Sequence, residues 1–194
     1  EEFSTATAVG AWSTGGSLGT ARYALAGAGT QTATLAFGGY GGNSPPNQVR
    51  NETETYNGVS WTEVNNLNTA RSKLGGSGTQ TAALAFGGNS PAKNETETWN
   101  GTNWTEVNNL GTARYGIAGA GTQTAALAFG AYTPPPTVAF TELWNGTNWT
   151  EVNDMNTGRG YLGGVGATNT AVLGFGGYTR SPAAVVDITE LWNG

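Results

Sequence analysis

The chain of 194 residues contains no cysteine and no histidine. Their absence excludes disulfides, zinc-finger spacings, thiol nucleophiles, histidine-based triads and histidine-ligated metals. Charged residues make up only 11%, the formal net charge is -5, and Lys and Arg form no basic cluster, so we expect no nucleic-acid partner. The longest apolar runs, such as residues 82–86, are far shorter than the roughly 20 residues that span a bilayer, so we expect no membrane insertion.

Glycine, by contrast, is abundant, and its 32 residues help to mark an internal repeat. Tryptophans recur at intervals of 49, 43 and 45 residues, and an arginine follows each at a distance of 10: Trp12 and Arg22, Trp61 and Arg71, Trp104 and Arg114, Trp149 and Arg159. A glycine pair, replaced by Gly130-Ala131 in the third unit, lies 16 or 17 residues after each arginine: Gly38-Gly39, Gly87-Gly88 and Gly176-Gly177 are the other three. Only the segment between this pair and the next aromatic residue varies in length, which is typical of a loop on a rigid framework.

Each unit carries four short apolar segments separated by turn residues. This pattern predicts strands of about 5 residues and leaves no room for a long helix. Asn-Gly pairs at 57–58, 100–101 and 145–146 predict the turns between the third and fourth strands. Glycine and alanine dominate the first strand, as expected where strands converge on an axis. A unit of 43 to 49 residues with four antiparallel strands has the size of a propeller blade.

We therefore predict an all-β fold: a β-propeller of about four four-stranded antiparallel blades in a single domain spanning residues 1–194. The units cover approximately residues 12–60, 61–103, 104–148 and 149–194, and an N-terminal strand within 9–18 is expected to pair with the last unit and close the ring. Glu1-Glu2-Phe3 resembles a further third strand, and the chain starts without methionine or a leader. Part of a longer array is therefore the alternative to a closed ring.

The units resemble kelch repeats: an arginine heads the unit, a Gly-Gly pair ends the second strand, and an aromatic residue in the third strand precedes a tryptophan by five residues. The resemblance covers residues 12–194. The nearly identical stretches 69–88 and 112–130 are also similar to kelch-like arrays in virion proteins of marine bacteriophages. These resemblances imply propeller blades and a location outside the cell or on a virion surface. A copper radical oxidase occurs among kelch propellers, but its metal needs histidine, which this chain lacks.

Most repeated polar residues have a structural interpretation. The unit-heading arginines are expected to pair with the repeated glutamates or with backbone carbonyls, and a ligand-binding ring of arginines is the alternative. The repeated tryptophans are expected to fill the core between blades, and sugar stacking is the alternative. Asp154 and Asp187 are the carboxylates that break the repeat, so polysaccharide hydrolysis, the least favoured function, would depend on them. We expect no catalytic residue, metal or cofactor.

The variable loops and the connections between blades are expected to emerge on one face. The candidate ligand-binding residues there follow the glycine pairs or are charges without counterparts in the other units: Tyr40, Asn89, Tyr132, Tyr178, Arg50, Lys93 and Arg180. Loop prolines and the asparagine pairs 65–66 and 108–109 accompany them. Rigid loops with tyrosine, asparagine and a few cations suit polar ligands such as glycans, while solvated connectors are the alternative.

The sequence thus favours a non-enzymatic binding or structural module on a virion or outside the cell. Its expected partners are a surface glycan or another virion or surface protein, and a homo-oligomeric assembly is one setting in which it would act. A purely structural spacer or decoration subunit of a larger assembly is the alternative function.

Overall fold

The computed structural model describes residues 12–41, 48–89, 91–133 and 137–194. These residues form twenty β-strands and no helix, which confirms the all-β prediction. Within the same residues there is accordingly no helix that is long and apolar enough to cross a bilayer.

The strands follow the repeat, and each unit is counted here from its arginine, so its fourth strand is the one that begins with the next tryptophan. The first unit contains β1 (Arg22–Tyr23), β2 (Ala26–Thr30), β3 (Ala33–Phe37), β4 (Tyr40–Gly41), β5 (Gln48–Val49), β6 (Thr53–Tyr56) and β7 (Trp61–Val64). The second contains β8 (Gly75–Gly78), β9 (Ala83–Gly88), β10 (Lys93–Trp99) and β11 (Trp104–Val107). The third contains β12 (Ala118–Gly121), β13 (Ala126–Tyr132), β14 (Thr137–Trp144) and β15 (Trp149–Glu151). The fourth contains β16 (Gly163–Thr168), β17 (Ala171–Phe175), β18 (Tyr178–Arg180), β19 (Ala183–Val185) and β20 (Thr189–Trp192).

Each unit builds one antiparallel sheet whose strands are paired in chain order. Sheet 1 has the order β2-β3-β6-β7, sheet 2 β8-β9-β10-β11 and sheet 3 β12-β13-β14-β15. Sheet 4 has three strands, β16-β17-β20. The remaining short strands form the ribbons β1-β4-β5 and β18-β19. The predicted four strands per unit are therefore found in the first three units.

The predicted Asn-Gly turns connect the third and fourth strands. In the first of them, Asn57 Oδ1 accepts hydrogen bonds from the backbone N–H groups of Val59 and Ser60 at 3.0 and 2.9 Å. Gly58 adopts a φ of 93°, a value that favours glycine. The same asparagine contacts and the same positive φ recur at the other two turns. Turn chemistry therefore accounts for this part of the repeat.

The glycine-rich first strands of neighbouring sheets pack side by side. A Cβ added to Gly76 would lie 2.8 Å from the ring of Phe37 and 3.2 Å from Cβ of Ala26, both in sheet 1. Gly119 is crowded in the same way, because its Cβ would lie 2.5 Å from the ring of Phe86 and 2.8 Å from O of Gly76. Glycine is needed here because any side chain would push neighbouring sheets apart.

Three apolar clusters fill the spaces between neighbouring sheets. The first joins sheets 1 and 2, and fully buried Phe37 and Trp99 belong to it. The second joins sheets 2 and 3, and the third joins sheets 3 and 4. Trp99 and Trp144 are both 0% exposed, so the prediction that repeated tryptophans fill the core holds for sheets 2 and 3.

The N-terminal segment lies along sheet 1. The backbone N–H of Gly19 donates to Oε2 of Glu54 at 2.7 Å, and the equivalent N–H groups of Asn68 and Gly111 donate to the third-strand glutamates of the sheets that follow them, both at 2.8 Å. Residues 12–18 form no strand, and Trp12 is fully exposed. The expected pairing of the N-terminal strand with the last sheet is thus not made by these residues; residues 9–11 lie outside the described part.

Candidate functional site

A buried ion pair anchors the connection that leads into each sheet. In all four units the leading arginine pairs with the glutamate of the third strand: Arg22 with Glu54, Arg71 with Glu97, Arg114 with Glu142, and Arg159 with Glu190. All four arginine side chains are 0% exposed. The pairing predicted from the repeat is therefore found, and these arginines are not a free ligand-binding ring.

The residue after each arginine meets the residue after each glycine pair. Tyr115 N–H donates to O of Tyr132 at 3.1 Å, and Tyr132 N–H donates to O of Tyr115 at 2.7 Å. The equivalent antiparallel pairs join Tyr23 to Tyr40, Ser72 to Asn89, and Gly160 to Tyr178. The connections between units and the variable loops therefore meet on one side of the sheets, as predicted.

The next residue of each connection has a positive φ. The values are 53° for Ala24, 54° for Lys73, 63° for Gly116 and 57° for Tyr161. The backbone N–H groups of the last three donate in turn to the carbonyl of the equivalent residue in the preceding unit, at 2.7, 2.8 and 2.7 Å. Residues other than glycine disfavour this backbone conformation. The inter-unit hydrogen bonds therefore hold the three non-glycine residues in a strained geometry.

Tyrosines and two cations converge around this row of hydrogen bonds. The ring centroid of Tyr115 lies 5.0 Å from that of Tyr132 and 6.3 Å from that of Tyr161. Lys73 Nζ lies 5.3 Å from the centroid of Tyr115 and 5.5 Å from that of Tyr161. Arg180 Cζ lies 5.2 Å from the centroid of Tyr132. We call these five residues the tyrosine–cation cluster.

The two cations of the cluster differ from every other cation of the chain. Six of the eight Lys and Arg residues pair with a carboxylate within 4.0 Å. Lys73 and Arg180 are the other two, and among the described residues they have no such partner. Both instead lie over tyrosine rings, which attract a cation but do not neutralise it. The cluster is therefore a positive, aromatic surface on an acidic protein.

The phenol of Tyr115 is partly buried within the tyrosine–cation cluster. Its partial burial raises the pKa above the ordinary value of 10.0, the neighbouring Tyr161 raises it further, and Arg180 opposes the shift. Tyr115 therefore remains a neutral hydrogen-bond donor throughout the physiological range. Tyr161 is 48% exposed and forms the outer edge of the cluster.

The structure brings only some of the predicted site residues together. Tyr132 and Arg180 belong to the cluster, and Tyr178 adjoins it because it pairs with Gly160, next to Tyr161. Tyr40 instead packs against Tyr23 in the first unit, with ring centroids 5.7 Å apart. Asn89 pairs with Ser72 in the second unit.

The other two predicted cations have partners. Arg50 pairs with Glu52 at 3.0 Å, and Lys93 pairs with Glu95 at 3.4 Å. Both stand 11 residues before a tryptophan, so the interpretation of Arg50 and Lys93 as charges without counterparts in the repeat is wrong: they share one repeat position. Their carboxylates make them weaker candidates for binding an anion than Lys73 and Arg180.

Three cluster members, Lys73, Tyr115 and Tyr161, were not predicted. They stand in the connections after the arginines, whereas the sequence pattern draws attention to the loops of variable length. One sequence signal was available: the two residues after each arginine differ in every unit, reading Tyr-Ala, Ser-Lys, Tyr-Gly and Gly-Tyr. Variation at a fixed distance from an invariant arginine indicates an exposed position on a rigid frame.

The remaining candidates have structural contacts. Asp154 Oδ1 accepts the backbone N–H of Thr141 at 3.1 Å, the contact that Asn66 makes to Thr53 in the first unit. Asn65 was expected beside the variable loops. Its Nδ2 instead donates to Oδ1 of Asn103 in the next Asn-Gly turn, so this asparagine lies near the turns and not on the variable face. Asp187 is exposed. No group of three or more acidic residues that could hold a metal ion occurs among residues 12–41, 48–89, 91–133 and 137–194.

A scan against models of protein families finds no match for this chain, and a search of curated proteins finds none either. The repeat pattern and the chemistry of the tyrosine–cation cluster are therefore what support a function.

Proposed function

We propose that this chain is a non-enzymatic binding module, that its four sheets are the blades of a β-propeller, and that the tyrosine–cation cluster binds acidic saccharides. The single observation that carries the proposal is that Lys73 and Arg180, the two cations with no carboxylate partner among the described residues, lie over the rings of one cluster. Cations that are not already neutralised are available to a ligand carboxylate or sulfate.

The geometry of the cluster suits such a ligand. Tyrosine rings offer flat apolar faces for the C–H groups of a sugar and hydroxyls for its oxygens. Arg180 offers a planar fork of donors for a carboxylate or sulfate, and Lys73 a second positive charge. Because the strained connections are fixed by inter-unit hydrogen bonds, little conformational entropy is lost on binding.

The setting of the module is proposed from the repeat. The resemblance of its units to kelch arrays in phage virion proteins supports a position on a virion or elsewhere outside the cell, where acidic polysaccharides are accessible. The first strands of neighbouring sheets pack side by side, as the innermost strands of propeller blades do, which supports the propeller arrangement.

A glycan array with matched neutral and acidic saccharides tests the proposal, followed by titration of the best acidic ligand. We expect Arg180→Gln to weaken binding about tenfold or more, because a charge-assisted hydrogen bond contributes about 1.5–3 kcal/mol. Arg50→Gln is the matched control, because Glu52 already neutralises Arg50, and it should leave binding unchanged. Binding should also weaken as salt is added. Equal binding of neutral and acidic glycans, or equal effects of the two substitutions, would contradict the proposal.

A purely structural role is the second candidate. The observation that favours it is the apolar surface of sheet 4, where Leu191 is 81% and Val165 58% exposed. Large apolar side chains in this position are typical of a surface that a neighbouring subunit covers. A structure of the assembled particle in which the tyrosine–cation cluster is buried by another subunit would favour this role over saccharide binding.

A further inference from the structure

The residue three positions before each leading arginine alternates between glycine and asparagine. It is Gly19 in the first unit, Asn68 in the second, Gly111 in the third and Asn156 in the fourth. In every unit its backbone N–H donates to Oε2 of the third-strand glutamate, at 2.7 or 2.8 Å. The backbone is therefore placed alike at this position, and only the side chain varies.

In the second unit the Asn68 side chain uses two acceptors. Its Nδ2 donates to Oε2 of Glu97 at 2.9 Å and to the carbonyl of Trp104 at 3.2 Å. A primary carboxamide carries two N–H donors on one nitrogen, so this single group makes both hydrogen bonds. The second unit thus supplies a carboxamide of its own to its buried glutamate.

The third unit has no such side chain, because Gly111 stands at this position. A cavity of about 140 Å³ lies there, and Gly111, Glu142 and Trp149 line it. By their positions in the repeat, Glu142 and Trp149 are equivalent to the two residues that accept from Asn68. The cavity therefore takes the place of the missing carboxamide, with both acceptor residues in its wall.

An arginine in the same wall lacks a hydrogen-bond acceptor. Arg114 lines the cavity and is 0% exposed, yet its Nη1 has no hydrogen-bond partner among the described residues. The equivalent Nη1 of Arg71 donates to the carbonyl of Glu95 at 2.5 Å. That of Arg22 donates to the carbonyl of Glu52 at 2.7 Å. A buried N–H without an acceptor is costly, so this group favours a ligand that brings one.

The cavity is accessible, and its charges favour a neutral ligand. Three of its lining residues, Gly111, Thr112 and Glu151, are exposed, so a solute can enter from the surface. The charge of Arg114 is already paired with Glu142 at 3.1 Å, and Glu151 adds a second carboxylate. An anion would be repelled, and an ammonium group would offer no acceptor to the arginine. The ligand that matches these walls is neutral and has both N–H donors and an acceptor oxygen.

We infer that this cavity binds a primary carboxamide, the group that ends asparagine and glutamine side chains. Its nitrogen donates to Glu142 Oε2 and to the Trp149 carbonyl, as the Asn68 carboxamide does to the equivalent acceptors of the second unit. Its oxygen accepts from Arg114 Nη1. Phe140, in the same wall, offers apolar contact to the carbon that carries the carboxamide. A secondary amide fits less well, because its single N–H leaves one acceptor unmatched.

Titration with acetamide, followed by two-dimensional proton–nitrogen NMR, tests this inference. The probe is small, so its binding should be weak and the titration extends to high millimolar concentrations. We expect saturable shifts of the Gly111 amide and of the Trp149 indole N–H. Acetate has the same size but a negative charge, and N-methylacetamide has only one N–H. At equal concentration both should shift these signals less than acetamide does.

Gly111→Asn is the matched variant, because it gives the third unit the side chain that the second unit has. A Cβ at Gly111 would lie 3.4 Å from Glu142 Oε2, an ordinary contact, so the substitution can be accommodated. It should raise the thermal stability and abolish the saturable response to acetamide. Asn68→Gly is the complementary variant. It should lower the thermal stability and create a response of the Trp104 indole N–H to acetamide.

The source of the carboxamide is distinguished with asparagine and glutamine residues that are blocked at both backbone ends. Saturable shifts with these residues as well as with acetamide would assign the site to side chains of a polypeptide ligand. Shifts with acetamide alone would assign it to small free amides. Either result supports a carboxamide site.

Three outcomes would overturn the inference. The first is an unmodified chain without a saturable response to acetamide, which would mean that the cavity holds water only. The second is an undiminished response in folded Gly111→Asn, and this variant decides even if Asn68→Gly does not fold. The third is an equal response to N-methylacetamide, which would exclude selection of a primary carboxamide. None of these results bears on saccharide binding, since no cavity residue belongs to the tyrosine–cation cluster.

Discussion

The guanidinium of Arg71 lies 2.9 Å from the carboxylate of Glu97, and both side chains are almost completely buried. Burial lowers the pKa of Arg71 and the charge of Glu97 opposes this shift, so the net pKa lies below the ordinary value of an arginine. An arginine nevertheless stays charged at all physiological pH values. Removing either partner would leave the other charge buried and unpaired, which would destabilise the folded protein.

We expect Glu97→Gln to lower the free energy of unfolding by about 3–5 kcal/mol, the usual cost of removing one partner of a buried ion pair. Urea denaturation followed by tryptophan fluorescence measures it. Glu106→Gln is the control, since Glu106 is exposed and lies opposite Glu97 on the next strand. It should change stability by less than about 0.5 kcal/mol. Equal losses in the two variants would show that the pair is not what stabilises the unit.

The threonine hydroxyls that accept tryptophan N–H groups allow a comparison within one chain. Thr53→Val leaves the buried indole N–H of Trp104 without an acceptor, so it should cost about 1–3 kcal/mol. Thr141→Val is the same change where no described tryptophan donates, and it should cost less. Thermal unfolding at low protein concentration distinguishes them. The interpretation fails if Thr141→Val is the more damaging substitution.

The positive φ of Gly116 predicts a substitution effect with a defined sign. Gly116→Ala should destabilise the protein by about 1–2 kcal/mol, because an L-residue is unfavourable there. Its Cβ would also lie 3.0 Å from the ring of Tyr161 and displace that ring from the cluster. Ala24→Gly, at the equivalent position, should be neutral or slightly stabilising, since relief of strain offsets the added chain entropy. Chemical denaturation of both variants checks the contrast.

Stability should fall in acid, and Glu190 should contribute to this loss. Burial raises the pKa of Glu190, but hydrogen bonds from Arg159, Asn156 and Thr157 lower it more, so its net pKa lies below the ordinary 4.5. A carboxyl with a lowered pKa in the folded state stabilises it above pH 4.5, and this contribution is lost as the pH falls through the folded-state pKa.

Denaturation midpoints measured at successive pH values below neutrality test this dependence. Glu190→Gln should give a shallower loss of stability below pH 4.5 than the unmodified chain. Thr189→Ala changes the adjacent exposed residue but keeps the carboxylate, so it should retain the original slope. Identical slopes for all three proteins would show that Glu190 is not linked to acid unfolding.

The repeat pattern was sufficient to predict the local structure. Its features are the constant distance between tryptophan and arginine, the alternating apolar residues and the Asn-Gly turns, and each involves residues close together in the chain. They predicted the strands of each unit, the absence of helices and the pairing of arginine with glutamate. Lys73, Tyr115 and Tyr161 could not be assigned to one cluster in this way. They come from three different units, and only the lateral packing of the sheets brings their side chains together.

The sequence by itself determined the repetition of strands, turns and buried charge pairs, because each of these is formed by residues close to one another in the chain. The tertiary structure alone decided which exposed residues of different units lie together and which of the repeated tryptophans are buried. Trp104 is buried because the neighbouring sheet supplies Phe37 and Thr53, whereas Trp12, at the same repeat position, is exposed because no described residues pack against it in this way. Burial is a property of neighbours in space, and identical sequence positions differ when those neighbours differ.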